Sequence, residues 1–254
     1  MDRAGDLKVT PTGRVNEEDR ASTMQDKIQQ DSWKRLAGEA AVELIEEGML
    51  LGLGTGSTAM YLLYALAERM QQGLRIVGGV PTSKATAELA RNLGIPLTTL
   101  DVHPELDLAI DGADEIDSQL CLVKGGGGAL LREKIVASAA RRFVVIGDAT
   151  KLVPILGIHF PLPVEVVPFA LSPVRKRLEA LGAKAQLRQQ DGESFITDNG
   201  NIIIDCSFAG GIQDAADIQA RIKAIVGVVE TGLFLHMAER AIIGGPEGVK
   251  TLTR

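Results

Sequence analysis

The sequence predicts an α/β fold: a doubly wound, mostly parallel sheet of Rossmann-like type, with an inserted ferredoxin-like α+β domain. Before Lys151, short strands that are apolar along their length alternate with helices, as in parallel sheets covered on both faces. After Lys151 the order changes to strand, helix, strand, strand, helix, strand, which is typical of a ferredoxin-like unit. Polar and glycine-rich turns follow the early strands, at the edge where α/β sheets bind ligands.

The first 27 residues are polar, mixed in charge and without an apolar centre, so we expect a disordered leader and not a secretory signal. A helix is predicted from Asp31, with Asp31 or Ser32 as its cap and Gly48 as its stop. The acidic residues of the leader argue against a transit peptide, although a short organellar leader stays open. The expected location is the cytoplasm, or an organellar stroma if the leader is a transit remnant.

The Rossmann-like domain is predicted to comprise residues 28–157 and 238–254. After the first helix, apolar periodicity predicts strand 49–53, helix 58–70, strand 75–79, helix 83–93, strands 97–100 and 106–110, helix 129–140 and strand 143–146. The segment after residue 237 is too short to be a domain. We therefore expect its apolar part, 241–252, to return to the first sheet.

The ferredoxin-like domain is predicted over residues 158–237. Its expected elements are strand 160–167, helix 172–181, strands 184–188 and 202–206, helix 214–226 and strand 228–235. The turn Asp198-Asn199-Gly200 indicates a hairpin of type I′. Strand 228–235 is apolar and could bury a subunit interface, so we expect a homodimer or homotetramer.

Composition and charge exclude several classes of partner and site. The net charge of −6, with both signs mixed along the chain, argues against a nucleic-acid partner, and no apolar run approaches the length of a membrane span. Cys121 and Cys206 lack paired spacing, which favours buried thiols in a reducing compartment. His103, His159 and His236 are scattered singly, so no metal site is predicted. A small-molecule partner is expected.

The turn at 52–58, GLGTGST, lies between a strand and a helix, where free amides and the helix dipole favour phosphate. The dinucleotide fingerprint requires glycine where Ser57 stands, and a Walker lysine is missing, so neither NAD nor a nucleoside triphosphate is favoured. The hydroxyls of Thr55, Ser57 and Thr58 suit a phosphomonoester instead. An ordinary strand-to-helix turn is the alternative.

Opposite charges follow two neighbouring strands. Asp111 closes the apolar strand 106–110, and Lys124 follows Leu122 and Val123 in the same way. Crowded carboxylates, including Asp114, raise one another's pKa, whereas a lysine opposite them lowers it. The segment can therefore hold both a proton donor and a proton acceptor near neutral pH. A turn-forming aspartate and a surface ion pair are the alternatives.

Four consecutive glycines, residues 125–128, follow this lysine and can let a substrate lie against backbone amides. Glu133 comes early in the next helix among apolar neighbours, and a partly desolvated carboxylate is a good base. Glu115 and Asp117, in contrast, belong to an exposed-looking turn. Lys151 follows a further strand and offers a second anion contact.

Together these motifs resemble ribose-5-phosphate isomerase of the A type, over residues 31–253. The matching segments are GTGST at 54–58, DGADE at 111–115, KGGG at 124–127 with Glu133 downstream, and TKLV at 150–153. The resemblance implies a metal-independent, cofactor-free isomerase of the pentose phosphate pathway that interconverts D-ribose 5-phosphate and D-ribulose 5-phosphate.

The resemblance also implies residue roles. Glu133 would be the base, and Asp111, Asp114 and Lys124 would surround the ring and the reacting oxygens. The implied substrate and phosphate contacts are Lys34, Thr55, Gly56, Ser57, Thr58, Gly112, Ala113, Gly125, Gly126, Gly127 and Lys151.

Two alternatives share this general architecture. A sugar-phosphate-binding regulator would need a DNA-reading helix-turn-helix, for which the leader is too short and too polar. A transferase or deaminase of the same broad fold would use a glutamate on a thioester or an amine, and fold alone does not separate it from an isomerase. Lys124 beside Asp111 and Asp114 favours the isomerase.

Overall fold

The computed structural model of the chain describes residues 17–254, with side chains from residue 25 onward. The helices are α1 (Glu17–Ala41), α2 (Ser57–Gln71), α3 (Lys84–Asn92), α4 (Leu130–Ala139), α5 (Leu171–Ala180) and α6 (Ala215–Lys223). The strands are β1 (Leu50–Leu53), β2 (Gly78–Pro81), β3 (Leu106–Gly112), β4 (Glu115–Ile116), β5 (Leu122–Val123), β6 (Ala140–Asp148), β7 (Leu162–Val166), β8 (Ala183–Leu187), β9 (Gln189–Gln190), β10 (Glu193–Ser194), β11 (Ile202–Phe208), β12 (Val228–Thr231), β13 (Leu233–Phe234), β14 (Arg240–Gly245) and β15 (Gly248–Thr253).

The main sheet has the strand order β15-β14-β6-β3-β1-β2 and is parallel except for β15, which pairs antiparallel with β14. This confirms the predicted doubly wound, mostly parallel sheet and the return of the C-terminal segment. Alternate residues of β6 face opposite sides: Val144 and Ile146 pack with α1 and α2, whereas Phe143 and Val145 pack with α4. Helices therefore cover both faces of the sheet.

A second sheet has the order β12-β7-β11-β8, with every neighbouring pair antiparallel. Helices α5 and α6 connect its strands, and the small hairpin of β9 and β10 is inserted before β11. This is the strand–helix–strand–strand–helix–strand order of a ferredoxin-like unit, as the fold class predicted. The limits 158–237 that we assign to this domain stay a prediction.

The predicted strand 228–235 is wrong as a single strand. β12 belongs to the ferredoxin-like sheet, whereas β13 pairs with β5 in a separate sheet of order β13-β5-β4. The chain passes between the two sheets at Gly232, whose amide donates to Pro163 and whose carbonyl accepts from Lys124. A Cβ at Gly232 would lie 2.2 Å from the Lys124 carbonyl oxygen, so glycine is required at this crossing.

The predicted start of the first helix is also wrong. Helix α1 begins at Glu17, so residues 17–27 of the expected disordered leader are helical, and residues 1–16 lie outside the described part. Asp31 and Ser32 are not a cap, because the Ser32 hydroxyl donates to the Gln29 carbonyl at 2.7 Å and Asp31 pairs with Lys34 within the helix. The helix ends at Ala41 in a short 3-10 turn, before Gly48.

Two smaller expectations fail. Segment 97–100 forms no strand, because Leu97 makes only an isolated bridge with Gly79. The 198–200 turn is not of type I′, which needs a positive φ at both central residues. Gly200 has a φ of 79°, whereas the φ of Asn199 is not positive.

None of the helices between residues 17 and 254 combines the length and hydropathy needed to cross a bilayer.

Candidate active site

The ends of β1, β3, β5 and β6 meet the N-termini of α2 and α4 at one edge of the main sheet, where open α/β sheets bind ligands. A pocket of about 480 Å³ opens there. Its lining residues are Thr55, Gly56, Ser57, Thr58, Gly112, Ala113, Asp114, Lys124, Gly125, Gly126, Gly127, Glu133 and Lys151. The structure thus brings together residues that were predicted from four separate sequence motifs.

A buried ion cluster lies beneath the pocket. Lys124 Nζ is 3.2 Å from Asp111 Oδ2 and 3.2 Å from Glu133 Oε1, and it also donates to the Gly112 carbonyl. The three charged residues are 2%, 3% and 5% exposed, for Lys124, Asp111 and Glu133 respectively. One ammonium group therefore serves two carboxylates in a nearly dry environment, where charge interactions are strong.

Burial sets the protonation behaviour of this cluster. It raises the pKa of Glu133 to about 8, although the Lys124 charge opposes the shift. Burial also raises the pKa of Asp111 against the same opposing charge. For Lys124 burial acts in the lowering direction, but the negative charges of Asp111, Glu133 and Asp114 raise its pKa above the ordinary value. Lys124 stays charged, and Glu133 titrates near neutral pH.

The two buried carboxylates differ in what they can reach. Glu133 lines the pocket, and its Oε2 has no hydrogen-bond partner among the described residues, so this oxygen can accept a proton from a ligand. Asp111 does not line the pocket; its Oδ1 accepts from the amides of Thr55 and Gly112 at 2.9 and 2.7 Å. Asp111 therefore holds Lys124 and the turn, whereas Glu133 faces the ligand.

Asp114 organises the glycine run. Its Oδ2 accepts from the Gly126 amide at 2.7 Å, and a Cβ at Gly126 would lie only 2.5 Å from Oδ1. Gly125 has a φ of 105° and Gly128 a φ of 79°, values that side chains rarely adopt. Since Asp114 also lines the pocket, its position fits a contact to a bound ligand better than the position of Asp111 does.

The start of α2 is suited to a phosphate group. Helix α2 begins at Ser57 behind Gly56, which has a φ of 110° and supplies no side-chain cap. The first amides of α2 are therefore directed at the pocket, where the helix dipole favours an anion. Ser57, Thr58 and Lys151 line the pocket, and Lys151 ends a 3-10 turn that is capped by Asp148.

The Thr55 hydroxyl is used differently from the prediction. It lies 2.6 Å from the Thr82 hydroxyl, 2.9 Å from Ser83 and 3.0 Å from Thr86, in a buried cluster that also bonds the Gly54 carbonyl. This cluster fixes the turn from below, so Thr55 offers the pocket its backbone and methyl group. These three partners of Thr55 were not predicted from the sequence; the run of hydroxyl residues after β2 was the available signal.

Lys34, a further predicted contact, belongs neither to the pocket lining nor to the buried ion cluster. Its ammonium group pairs with Asp31 at 3.4 Å on helix α1. Helix α1 packs closely against β14, because a Cβ at Gly244 would lie 1.9 Å from the carbonyl oxygen of Trp33. A role for Lys34 in substrate binding stays a prediction.

The expectation of an exposed Glu115 is wrong. This carboxylate is 1% exposed and accepts from the amides of His159 and Phe160 at 2.7 and 2.8 Å, and from Gly157. It anchors the segment that leads into β7.

Within the described residues, no group of three or more His, Cys, Asp or Glu side chains is arranged to hold a metal ion. Metal independence remains a prediction to be tested by chelation.

Comparison with known proteins identifies the family. The family model for ribose 5-phosphate isomerase A (phosphoriboisomerase A) matches residues 78–248. Ribose-5-phosphate isomerase A of a Roseiflexus species is 57% identical over 222 residues, covering 87% of this chain and 95% of the relative. The chain belongs to the ribose 5-phosphate isomerase A family. A Synechococcus isomerase A is 53% identical over 225 residues, with 87% of this chain and 97% of the relative covered.

Solved structures of isomerases agree with the fold. Ribose 5-phosphate isomerase from Plasmodium falciparum is 41% identical, has a TM-score of 0.85 and covers 88% of this chain and 99% of its own. A D-ribose-5-phosphate isomerase in complex with phospho-erythronic acid is 42% identical, with a TM-score of 0.84 and coverages of 87% and 97%. The family assignment thus holds over nearly the whole described chain.

Proposed function

We propose that this chain interconverts D-ribose 5-phosphate and D-ribulose 5-phosphate, with Glu133 as the base. The observation that carries the proposal is a buried glutamate of raised pKa that lines the pocket beside the charged Lys124 and whose Oε2 has no hydrogen-bond partner in residues 25–254. A base works best when its pKa is near the operating pH. The assignment also agrees with the names of the relatives reported above.

The reaction moves hydrogen within one molecule. Asp114 assists opening of the sugar ring, after which Glu133 takes the proton from carbon 2 while the aldehyde electrons move to oxygen 1. The resulting cis-enediolate is neutralised when the same carboxyl returns the proton to carbon 1 and the hydroxyl proton passes from oxygen 2 to oxygen 1. Lys124 and the amides of the glycine run stabilise the negative oxygen, often the largest single contribution to catalysis.

The phosphate group supplies the orientation. Ser57, Thr58 and Lys151 line the same pocket as Glu133, and α2 begins there without a side-chain cap, so its first amides, the two hydroxyls and the ammonium group can bind the phosphate. Binding energy from this remote group holds the reacting carbons against the base. A sugar without a phosphate should therefore bind weakly and react slowly.

A turnover assay tests this function. Purified protein is incubated with ribose 5-phosphate or with ribose, and ketose formation is followed by absorbance. We expect turnover of the phosphorylated sugar alone, and competitive inhibition by phospho-erythronic acid, because its carboxylate carries two oxygens like the enediolate. Absence of turnover in folded protein would contradict the proposal, and the regulator and the transferase or deaminase would then be reconsidered.

The homo-oligomeric state and the location are proposals of the same kind. An apolar patch on the ferredoxin-like unit supports a homodimer or homotetramer: Phe169 is 98% exposed and Val226 is 83% exposed. The patch is continuous with Val167, whose amide donates to the Gly227 carbonyl. A second copy of the chain is the occupant that we propose for it. The cytoplasm, or an organellar stroma, is the proposed location.

A further inference from the structure

We propose that Arg188, a residue of the ferredoxin-like unit, is a positioning residue of the isomerase site. It orients the peptide bond between Gly126 and Gly127 so that the Gly127 amide points at the reacting oxygens of the substrate. This inference rests on the proposed function and adds a residue that does not line the pocket.

Arg188 connects the two parts of the molecule through a single guanidinium group. Its Nε and Nη2 donate to Asp205 at 2.9 and 2.5 Å, in a bidentate pair that fixes the plane of the group. Its Nη1 donates to the carbonyl oxygens of Gly125 and Gly126 at 2.7 and 3.0 Å. The side chain is 13% exposed, so these bonds compete little with water.

The direction of each carbonyl fixes the direction of the N–H group in the same peptide bond. The described peptide bonds include no cis bond, so each N–H points away from the carbonyl of its own peptide. The peptide between Gly125 and Gly126 demonstrates the effect, because its carbonyl faces Arg188 and its N–H reaches Asp114 at 2.7 Å. The next peptide also directs its carbonyl to Arg188. Its N–H, on Gly127, is therefore directed away from the ferredoxin-like unit.

Gly127 lines the pocket, and its amide donates to no backbone acceptor among the described residues. It is thus a free donor on the substrate side of the run. A donor held in place before reaction costs no reorganisation when negative charge develops on the substrate. A run of four glycines would not hold an amide by itself, since glycine gains the most conformational freedom when it is released.

A second contact from the same unit supports this role. The Phe195 ring fills the space beside Gly128, where a Cβ would lie 2.4 Å from a ring carbon. The Arg188 guanidinium carbon is 5.9 Å from the centre of that ring. Arg188 and Phe195 therefore hold both ends of the glycine run, and the ferredoxin-like unit shapes the site without contacting the sugar.

Substitution of Arg188 should separate turnover from phosphate binding. We expect Arg188→Ala to lower kcat by roughly 10- to 100-fold, less than the loss of a whole oxyanion donor. KM should change by no more than about 3-fold, because the phosphate contacts lie at α2 and Lys151. Arg188→Lys should recover little, since one ammonium cannot bond Asp205 and two carbonyls in the same geometry.

The decisive measurement is ligand affinity in these variants. Arg188→Ala should bind phospho-erythronic acid about 10-fold more weakly and inorganic phosphate unchanged, and added guanidinium ion should restore part of kcat. Arg175→Ala is the matched control, an arginine of the same unit in an exposed pair with Glu179. If Arg188→Ala does not fold, Arg188→Lys and Asp205→Asn provide the same comparison.

Wild-type kcat and wild-type analogue affinity in a folded Arg188 variant would overturn the proposal. Equal weakening of analogue and phosphate binding, in step with a lower Tm and without guanidinium rescue, would overturn it as well by showing a purely structural role. Turnover by the unmodified protein is measured alongside. Failure of the proposed function would appear there, whereas failure of this inference appears only in the variants.

Discussion

At the scale of single residues, Glu133 combines burial with function. Replacing it with Gln keeps the size and the bond to Lys124 but removes the base. We expect kcat to fall by about 10²–10⁴ while phospho-erythronic acid still binds. The measurement is kcat and inhibitor affinity, with Glu88→Gln, on the exposed side of α3, as the matched control. Near-normal kcat in folded Glu133→Gln would move the base assignment to Asp114.

The same residue should set the pH dependence. Only the ionised carboxylate can accept the proton, and burial raises its pKa in the folded protein to about 8. The acidic limb of kcat/KM, which reports the free enzyme, should therefore lie well above the ordinary glutamate pKa of 4.5 and close to 8. A profile of kcat/KM from about pH 4 to 10, measured at matched ionic strength, decides this. A limb near pH 4.5 would show that Glu133 is not the titrating base.

The raised pKa of Glu133 also makes the stability of the folded protein depend on pH. The folded state holds this proton more tightly than the unfolded state, so the contribution is full below pH 4.5 and is lost as the pH rises toward 8. A glutamine cannot lose that proton. The Tm of Glu133→Gln should therefore improve relative to the wild type between these pH values, which a thermal scan at several pH values measures. A constant Tm difference would contradict the shift.

Functional residues could be predicted from the sequence where the residues next to them in the chain already indicate a binding or catalytic role. Asp111, Lys124 and Glu133 each follow an apolar strand or a glycine run, and all three meet in space. Glu115 was misjudged because its three donors come from residues 42 to 45 positions further along the chain. Arg188 was missed for the same reason, since its carbonyl partners are 62 and 63 positions away.

At the scale of elements, the turn between β1 and α2 leaves no room for a side chain at Gly54. A Cβ at Gly54 would lie 2.3 Å from Asp111 Oδ1. Gly54→Ala should therefore displace Asp111, lower stability by about 1–3 kcal/mol as in other overpacked sites, and reduce kcat together with Tm. The control is Gly245→Ala, whose nearest contact would be 3.4 Å away. Equal Tm values for the two variants would contradict this reasoning.

Elements were predictable where periodicity and burial agree, as in the alternation from β1 to β6. They were not where tertiary contacts decide. Segment 228–235 is uniformly strand-like, yet the approach of Gly232 to Lys124 divides it between two sheets. The start of α1 was also hidden, because a polar helix and a disordered leader can have the same composition.

At the scale of the whole molecule, the proposed chemistry needs no metal ion, since Lys124 supplies the positive charge beside Glu133. Treatment with EDTA followed by gel filtration should leave kcat and KM unchanged, and added Mg²⁺ or Zn²⁺ should not increase turnover. A mock-treated sample that passes through the same column is the control. Lost activity that a divalent ion restores would replace the proposed oxyanion stabilisation with a metal-assisted one.

The oligomeric state should depend on the exposed apolar patch of the ferredoxin-like unit. Phe169 and Val226 are large apolar side chains left almost entirely in water, which is costly for a monomer and typical of an interaction site. We expect light scattering to give the mass of a dimer or tetramer. Phe169→Asp should reduce this mass, because it places a charge in a desolvated contact between subunits. Ile196→Asp, at a residue 55% exposed elsewhere on the same unit, is the control and should not dissociate the assembly. An unchanged mass for Phe169→Asp would show that a different surface joins the subunits.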